Sequence, residues 1–227
     1  MKKGTALIVP GLNGSGEAHW QTWLERQLPG ARRVTGIDWQ EPVLAHWAGA
    51  VRDAIDRASG PVWLVAHSYG CLAAVVAGAD RSDRVAGALF VAPADPDRFT
   101  AIGFKEGAEL SAAASLSSAL PLVPLGFPSI MAISCNDPWL KVLKAIYWAN
   151  NWGSHIVSIG QAGHINAESG YGPWPQGLAL LHSLQASQDD FPLGSLEEYQ
   201  HQRKGRHGAL AKLRHRTRKI SDTAIRR

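Results

Sequence analysis

Ser68 stands at the centre of Ala66-His67-Ser68-Tyr69-Gly70. The run before it, Pro61-Val62-Trp63-Leu64-Val65, is apolar and β-prone, and the run after it, Cys71 to Ala77, is small and helix-compatible. A strand that breaks at a serine and turns at once into a helix is the physical content of the nucleophile elbow. The turn is tight, so the positions two before and two after the serine must be small. Ala66 and Gly70 meet that need, although Ala66 departs from the usual glycine. Such a turn pushes the Ser68 hydroxyl out of the sheet and aims helix N-terminal amides at any oxyanion formed there. The chemistry this would serve is nucleophilic attack on an acyl carbonyl.

A serine hydroxyl needs a neighbouring base, and the base needs a group that fixes its tautomer. Asp137 follows the apolar run Ser129–Ser134, and His164 lies on a Gly-flanked loop past Ser154–Ile159. The order Ser68, Asp137, His164 is the one elbow hydrolases use. Asp137 before Pro138 also fits a plain helix N-cap, with the proline at the first helical position. Asp95 and Asp97 are the runner-up acids, because they follow the strand Val85–Ala92 and face the same end of the sheet.

The oxyanion should be held by the backbone N–H of Tyr69 and by one from Pro10-Gly11-Leu12-Asn13-Gly14-Ser15-Gly16. Leu12 is the expected second donor, with Asn13 next. A phosphate-cradling loop is the competing reading of these glycines. It lacks the Lys-Ser/Thr of a P-loop, and Gly11, Gly14 and Gly16 miss the G-x-G-x-x-G spacing. Asn13, His19 and Trp139 are candidate pocket residues, and the Pro93–Pro128 connection is a candidate pocket wall. His67 flanks the nucleophile with its side chain expected to point away. No H-E-x-x-H, C-x-x-C or His/carboxylate cluster suggests a metal, and no cofactor is expected.

Elements able to carry these residues are legible as six short apolar runs: Thr5–Pro10, Arg33–Asp38, Val62–Ala66, Val85–Ala92, Ser129–Ser134 and Ser154–Ile159. Near-continuous apolarity suits parallel strands covered on both faces. Helical periodicity separates them at Glu17–Leu28, Pro42–Ala58, Tyr69–Gly78, Pro138–Asn150 and Pro173–Gln185. On Pro138–Asn150 the apolar residues at helical spacing are Leu140, Val142, Leu143, Ile146 and Tyr147. The alternation predicts a three-layer α/β sandwich with a mainly parallel, roughly six-stranded sheet, carrying its ligand at the strands' carboxyl ends. The long connection Pro93–Pro128, with an expected helix over Glu109–Leu120, is where a cap would be inserted. It is too short for a large lid.

The 227 residues suit one well-cored domain with a tail. Net charge is +4, but residues 201–227 alone carry +9 and residues 1–200 carry −5. The expected division is a hydrolase domain over 1–190 and a basic, mobile extension over 191–227. Its residues 201–227 could take a weak anionic partner, but they hold no aromatic residue to stack on bases. Two cysteines, Cys71 and Cys135, imply no disulfide framework and fit a cytoplasmic protein. No apolar run approaches the ~20 residues of a membrane span.

Ile8-Val9-Pro10-Gly11, His19-Trp20, the elbow, Cys135-Asn136-Asp137-Pro138 and Gly163-His164-Ile165-Asn166 together resemble the retinoblastoma-binding protein 9 / YdeN family of small α/β-hydrolases. The resemblance spans roughly residues 4–186. It implies a reduced α/β-hydrolase sheet without a large lid and a Ser-Asp-His triad at Ser68, Asp137 and His164. The basic tail departs from the family's usual ending. The expected function is hydrolysis of small carboxylic esters or related acyl compounds through an acyl-enzyme on Ser68. The competing readings are a non-catalytic binding protein on a hydrolase scaffold and an adaptor working through the basic tail.

Overall fold

A computed structural model describes residues 4–105 and 114–189. Strands β1 (Thr5–Val9), β2 (Arg32–Arg33), β3 (Val62–His67), β4 (Val85–Val91), β7 (Ser129–Ile133) and β8 (His155–Ser158) form one sheet. Its order is β2-β1-β3-β4-β7-β8, and every pairing in it is parallel. Two short strands, β5 (Phe99–Thr100) and β6 (Gly103–Phe104), pair antiparallel outside it. The helices are α1 (Trp20–Gln27), α2 (Leu44–Arg57), α3 (Tyr69–Ala79), α4 (Val142–Trp152) and α5 (Pro175–Asp189).

Strand alternation divides the core into two layers. Leu7 and Val9, Leu64 and Ala66, Ala88 and Phe90, and Met131 and Ile133 face one side, where α2, α3 and α4 supply Trp47, Leu72 and Trp152. Ile8, Val65, Leu89, Val91 and Ala132 face the other, where α1 and α5 supply Trp20, Leu24, Leu181 and Leu184. A strand covered on both faces must be apolar throughout, and every residue of β3 is buried. This is the three-layer sandwich expected from the sequence, and among the described residues no large lid covers it.

Three expectations need correction. The strand over Arg33–Asp38 shrinks to Arg32–Arg33, with one further bond from Val34 N–H to the Ile8 carbonyl. Gly36, at φ +80°, turns the chain away from the sheet. The helix expected from Pro138 begins at Val142 instead. Asp137 is therefore no N-cap: its carboxylate accepts from the Trp139 amide at 2.8 Å in a separate turn. The buried stripe of α4 is Ala145, Trp148, Ala149 and Trp152, while Leu143, Ile146 and Tyr147 are exposed. Tryptophan and alanine interlock on the sheet there, and the aliphatic residues are left outside. Of the expected helix Glu109–Leu120, residues 109–113 lie outside the described residues, and the rest holds only a short 3-10 turn, Leu116–Ala119. The expected domain boundary and the basic segment 201–227 also lie outside them.

Candidate active site

β3 delivers Ser68 into a conformation that a side chain rarely adopts, φ 53° and ψ −126°, before α3 begins at Tyr69. Such a backbone costs on the order of 1–3 kcal/mol and persists only where its surroundings over-determine it. Two glycines do so here. A Cβ on Gly70 would collide with the carbonyl oxygens of Val9 and Pro10, and one on Gly11 would sit 2.7 Å from the Ser68 Cβ. The start of α3 and the loop after β1 therefore pack backbone to backbone around the serine. The Ser68 amide donates to the Val91 carbonyl at 3.1 Å, which ties the turn to β4.

The loops after β7 and β8 bring the other two expected residues to it. Ser68 Oγ lies 2.8 Å from His164 Nε2, and His164 Nδ1 lies 2.9 and 3.1 Å from the two Asp137 carboxylate oxygens. With the proton on Nδ1 donated to Asp137, Nε2 presents a lone pair to the serine hydroxyl. The side chains of His164 and Asp137 are 8% and 3% exposed, so this chain of hydrogen bonds is shielded from water.

The two loops are laced to each other. Ser134 Oγ accepts from Ala162 N–H, and Asn136 Oδ1 accepts from the Ser134 hydroxyl and from Gly163 N–H. The His164 amide donates to Ser169 Oγ, and Trp20 Nε1 donates to the Ile165 carbonyl. Gly163 and Ile165 both have positive φ, free for the glycine but strained for the isoleucine, so the backbone on either side of His164 is bent sharply.

Asp95 and Asp97 do not join this group. Both carboxylates take Lys144, and Asp97 also accepts from the Ser115 and Ser117 hydroxyls. Burial works to raise the Asp97 carboxyl, but the hydrogen bonds from Lys144 and the two serines outweigh it and hold it well below the carboxylate range.

A cleft of about 460 Å³ opens over Ser68. The three pocket candidates Asn13, His19 and Trp139 line it, and so does Leu12. The described part of Pro93–Pro128 does not. Its walls come instead from residues 12–19 and from His164 to Glu168. Phe104 does not line the cleft but lies near Trp139, with ring centroids 6.4 Å apart. Of the two candidate amides on the loop after β1, that of Asn13 donates to the Trp39 carbonyl at 2.8 Å, which leaves Leu12.

Sequence reasoning gave His67 no role beyond a side chain pointing away from the nucleophile, yet its ring packs beside His164 and lines the cleft. Its Nε2–H donates to the His164 carbonyl at 2.9 Å, and its ring lies 4.9 Å from the rings of both His164 and His19. Burial, with His164 and His19 nearby, drives its pKa well below the usual histidine value, so it is neutral. Carrying the alternation of β3 one residue further would have found it: His67 shares the face of Trp63 and Val65, toward Trp20 and Ile165. Among the described residues, no three His, Cys, Asp or Glu gather into a group that could hold a metal. Nor is any described helix long and apolar enough to cross a membrane.

A parallel sheet flanked by helices, with a strained serine between β3 and α3 hydrogen-bonded to a histidine past the last strand, defines the α/β-hydrolase class. The serine hydrolase family model matches residues 6–183. The chain belongs to that family and is a YdeN-like small α/β serine hydrolase. A YdeN-like hydrolase from Pectobacterium atrosepticum is 36% identical, with 79% of this chain and 91% of that one aligned at a TM-score of 0.67. The ydeN gene product of B. subtilis is 16% identical over 81% of this chain and 100% of its own, with a TM-score of 0.62. Est1E from Butyrivibrio proteoclasticus, in a structure with ferulic acid bound, is 12% identical over 83% of this chain and 89% of its own, at 0.58. These last two likenesses concern the fold. No curated protein matches the chain.

Proposed function

We propose that this serine hydrolase cleaves small carboxylic esters or related acyl compounds through an acyl-enzyme on Ser68. The observation that carries the reading is the continuous relay from Ser68 Oγ through His164 to Asp137, buried at the floor of a cleft. His164 Nε2 takes the hydroxyl proton as Ser68 Oγ bonds to the acyl carbon. The amides of Tyr69 and Leu12 hold the oxyanion. The carbon–oxygen bond to the leaving alcohol breaks, and the alcohol departs with the proton from His164. Water then gives a proton to His164 and attacks the acyl-enzyme. The acid leaves, and Ser68 Oγ recovers its proton.

Asp137 keeps the proton on Nδ1 and stabilises the imidazolium that forms in each half-reaction. A cleft of about 460 Å³ falls in the size range of small-molecule sites.

The test is a fluorophosphonate probe and a p-nitrophenyl acetate assay on purified wild type and Ser68→Ala. Wild type should label once, at Ser68, and turn over the ester. Ser68→Ala should keep the fold, lose the label and fall by about 10⁶ in kcat, as triad knockouts do. Unchanged hydrolysis by Ser68→Ala refutes the assignment. A wild type that neither labels nor turns over favours the binding-protein reading.

A further inference from the structure

His19 is 6% exposed and lines the cleft beside Ser68. It caps α1, and its Nδ1 accepts the Gln21 amide at 3.1 Å. That bond consumes the Nδ1 lone pair, so a neutral ring must carry its proton on Nε2. Burial first, then the charge of Arg33 and the nearby His164, lower its pKa to about 4, so the ring is neutral near pH 7. Its Nε2 finds no hydrogen-bond partner among the described residues. His19 thus puts a donor of fixed tautomer, on a nine-tenths buried ring, at the wall of the cleft. Two other lining groups, the carboxylates of Glu17 and Glu168, can only accept.

We infer that His19 Nε2–H reads a hydrogen-bond acceptor on the substrate, so that the preferred substrates are small acyl compounds carrying an ether, carbonyl or amide oxygen near the scissile ester. This inference rests on the esterase reading above. The physical reason is asymmetric. A buried donor is paired by a substrate oxygen but left without a partner by a methylene in the same place, so the hydrocarbon analogue is penalised. His19 acts by binding and takes no part in the proton relay.

The experiment uses matched esters in two series. In the acyl series, p-nitrophenyl methoxyacetate is compared with p-nitrophenyl butyrate. In the alcohol series, methoxyethyl acetate is compared with butyl acetate. Each ratio of kcat/KM is divided by the ratio for hydroxide hydrolysis, which removes intrinsic reactivity. Wild type should prefer the oxygen-bearing member of at least one series by about tenfold. His19→Asn keeps an N-cap but withdraws Nε2, so that preference should collapse toward unity. His19→Ser, a second capping residue, guards against a folding defect in the first, and the melting temperature of each variant is checked. A preference that survives in both variants overturns the inference and leaves the esterase reading standing, as does a wild type with no preference in either series. A wild type that hydrolyses none of the four esters takes the esterase reading down and this inference with it.

Discussion

Two acidic loops leave the same end of the sheet one strand apart, and they do opposite things. Asp137, after β7, has a side chain 3% exposed and lies within hydrogen-bond distance of the His164 ring. Asp95 and Asp97, after β4, spend their charge on Lys144 and on hydroxyls. Residue type alone does not separate these carboxylates. The partner does. Asp137 faces an imidazole that can pass a proton on, whereas Asp95 and Asp97 face an ammonium that simply neutralises them. A carboxylate becomes useful for catalysis when its nearest cation-to-be is itself poised against a nucleophile.

The largest effect that could break this comparison is on turnover. Asp137→Asn should lower kcat by about 10⁴, because an amide stabilises the wrong tautomer and cannot balance the imidazolium. Asp95→Asn should stay within about threefold of wild type. Steady-state kinetics on one ester decide it. If Asp95→Asn proves the damaging change, the acid belongs to the loop after β4 and the assignment is wrong.

Why one acid could be favoured from sequence, but not its surroundings, follows from what each depends on. The sheet was readable because alternation and near-continuous apolarity are local, and β3 and β4 satisfy both. The elbow was readable because a strained turn restricts residue types at fixed spacing. The run Arg33–Asp38 is shorter as a strand than its pattern suggests because Gly36 takes a positive φ and pairing with β1 ends at Val34. The apolar spacing over Pro138–Asn150 did not show which face of α4 is buried, because Trp148 and Trp152 outcompete leucine for the sheet. Asp137 could be ranked above Asp95 by its place after the strand Ser129–Ser134, but the pairing of Asp95 with Lys144, 49 positions away, is a tertiary contact that no local pattern contains. The role of His67 was missed because it is a bond to a backbone atom 97 positions away.

The pH dependence of stability should sharpen the same contrast. His19 and His67 both titrate below the ordinary histidine value in the folded protein. The unfolded chain takes up their protons as pH falls through about 6.5, and the folded chain does not until about 4 for His19. Stability near the cleft is therefore lost between about pH 6.5 and about 4, at up to about 1.4 kcal/mol per pH unit for each group. Asp97 moves in another window. Its depressed carboxyl favours the fold above its ordinary value of 3.8, and that contribution goes only as pH falls below it. Chemical denaturation at pH 7 and pH 5 should show a smaller acid loss in His67→Gln than in wild type. An equal loss in both would mean that the acid sensitivity arises elsewhere.

Smallest is the effect of breaking the other loop's pairing. Lys144 Nζ lies 2.7 Å from an oxygen of each of Asp95 and Asp97, but its side chain is 41% exposed and that of Asp97 47%. Water competes at Asp97, but the Asp95 side chain is only 13% exposed and loses its cation, so Lys144→Met should cost about 1–3 kcal/mol of stability. The loop would not be freed to move into the cleft. The Asp95 amide still donates to the Trp139 carbonyl at 3.1 Å, and Arg98 still donates to the Pro138 carbonyl at 2.8 Å and lies over the Trp139 ring. Those bonds hold the loop after β4 against the turn that carries Asp137, whatever Lys144 does. Turnover of Lys144→Met should accordingly stay within about threefold of wild type, and the double variant Asp137→Asn/Lys144→Met should match Asp137→Asn alone. A double variant that recovers turnover would show that an unpaired Asp95 or Asp97 reaches His164. The two loops would then differ only in which one Lys144 has occupied.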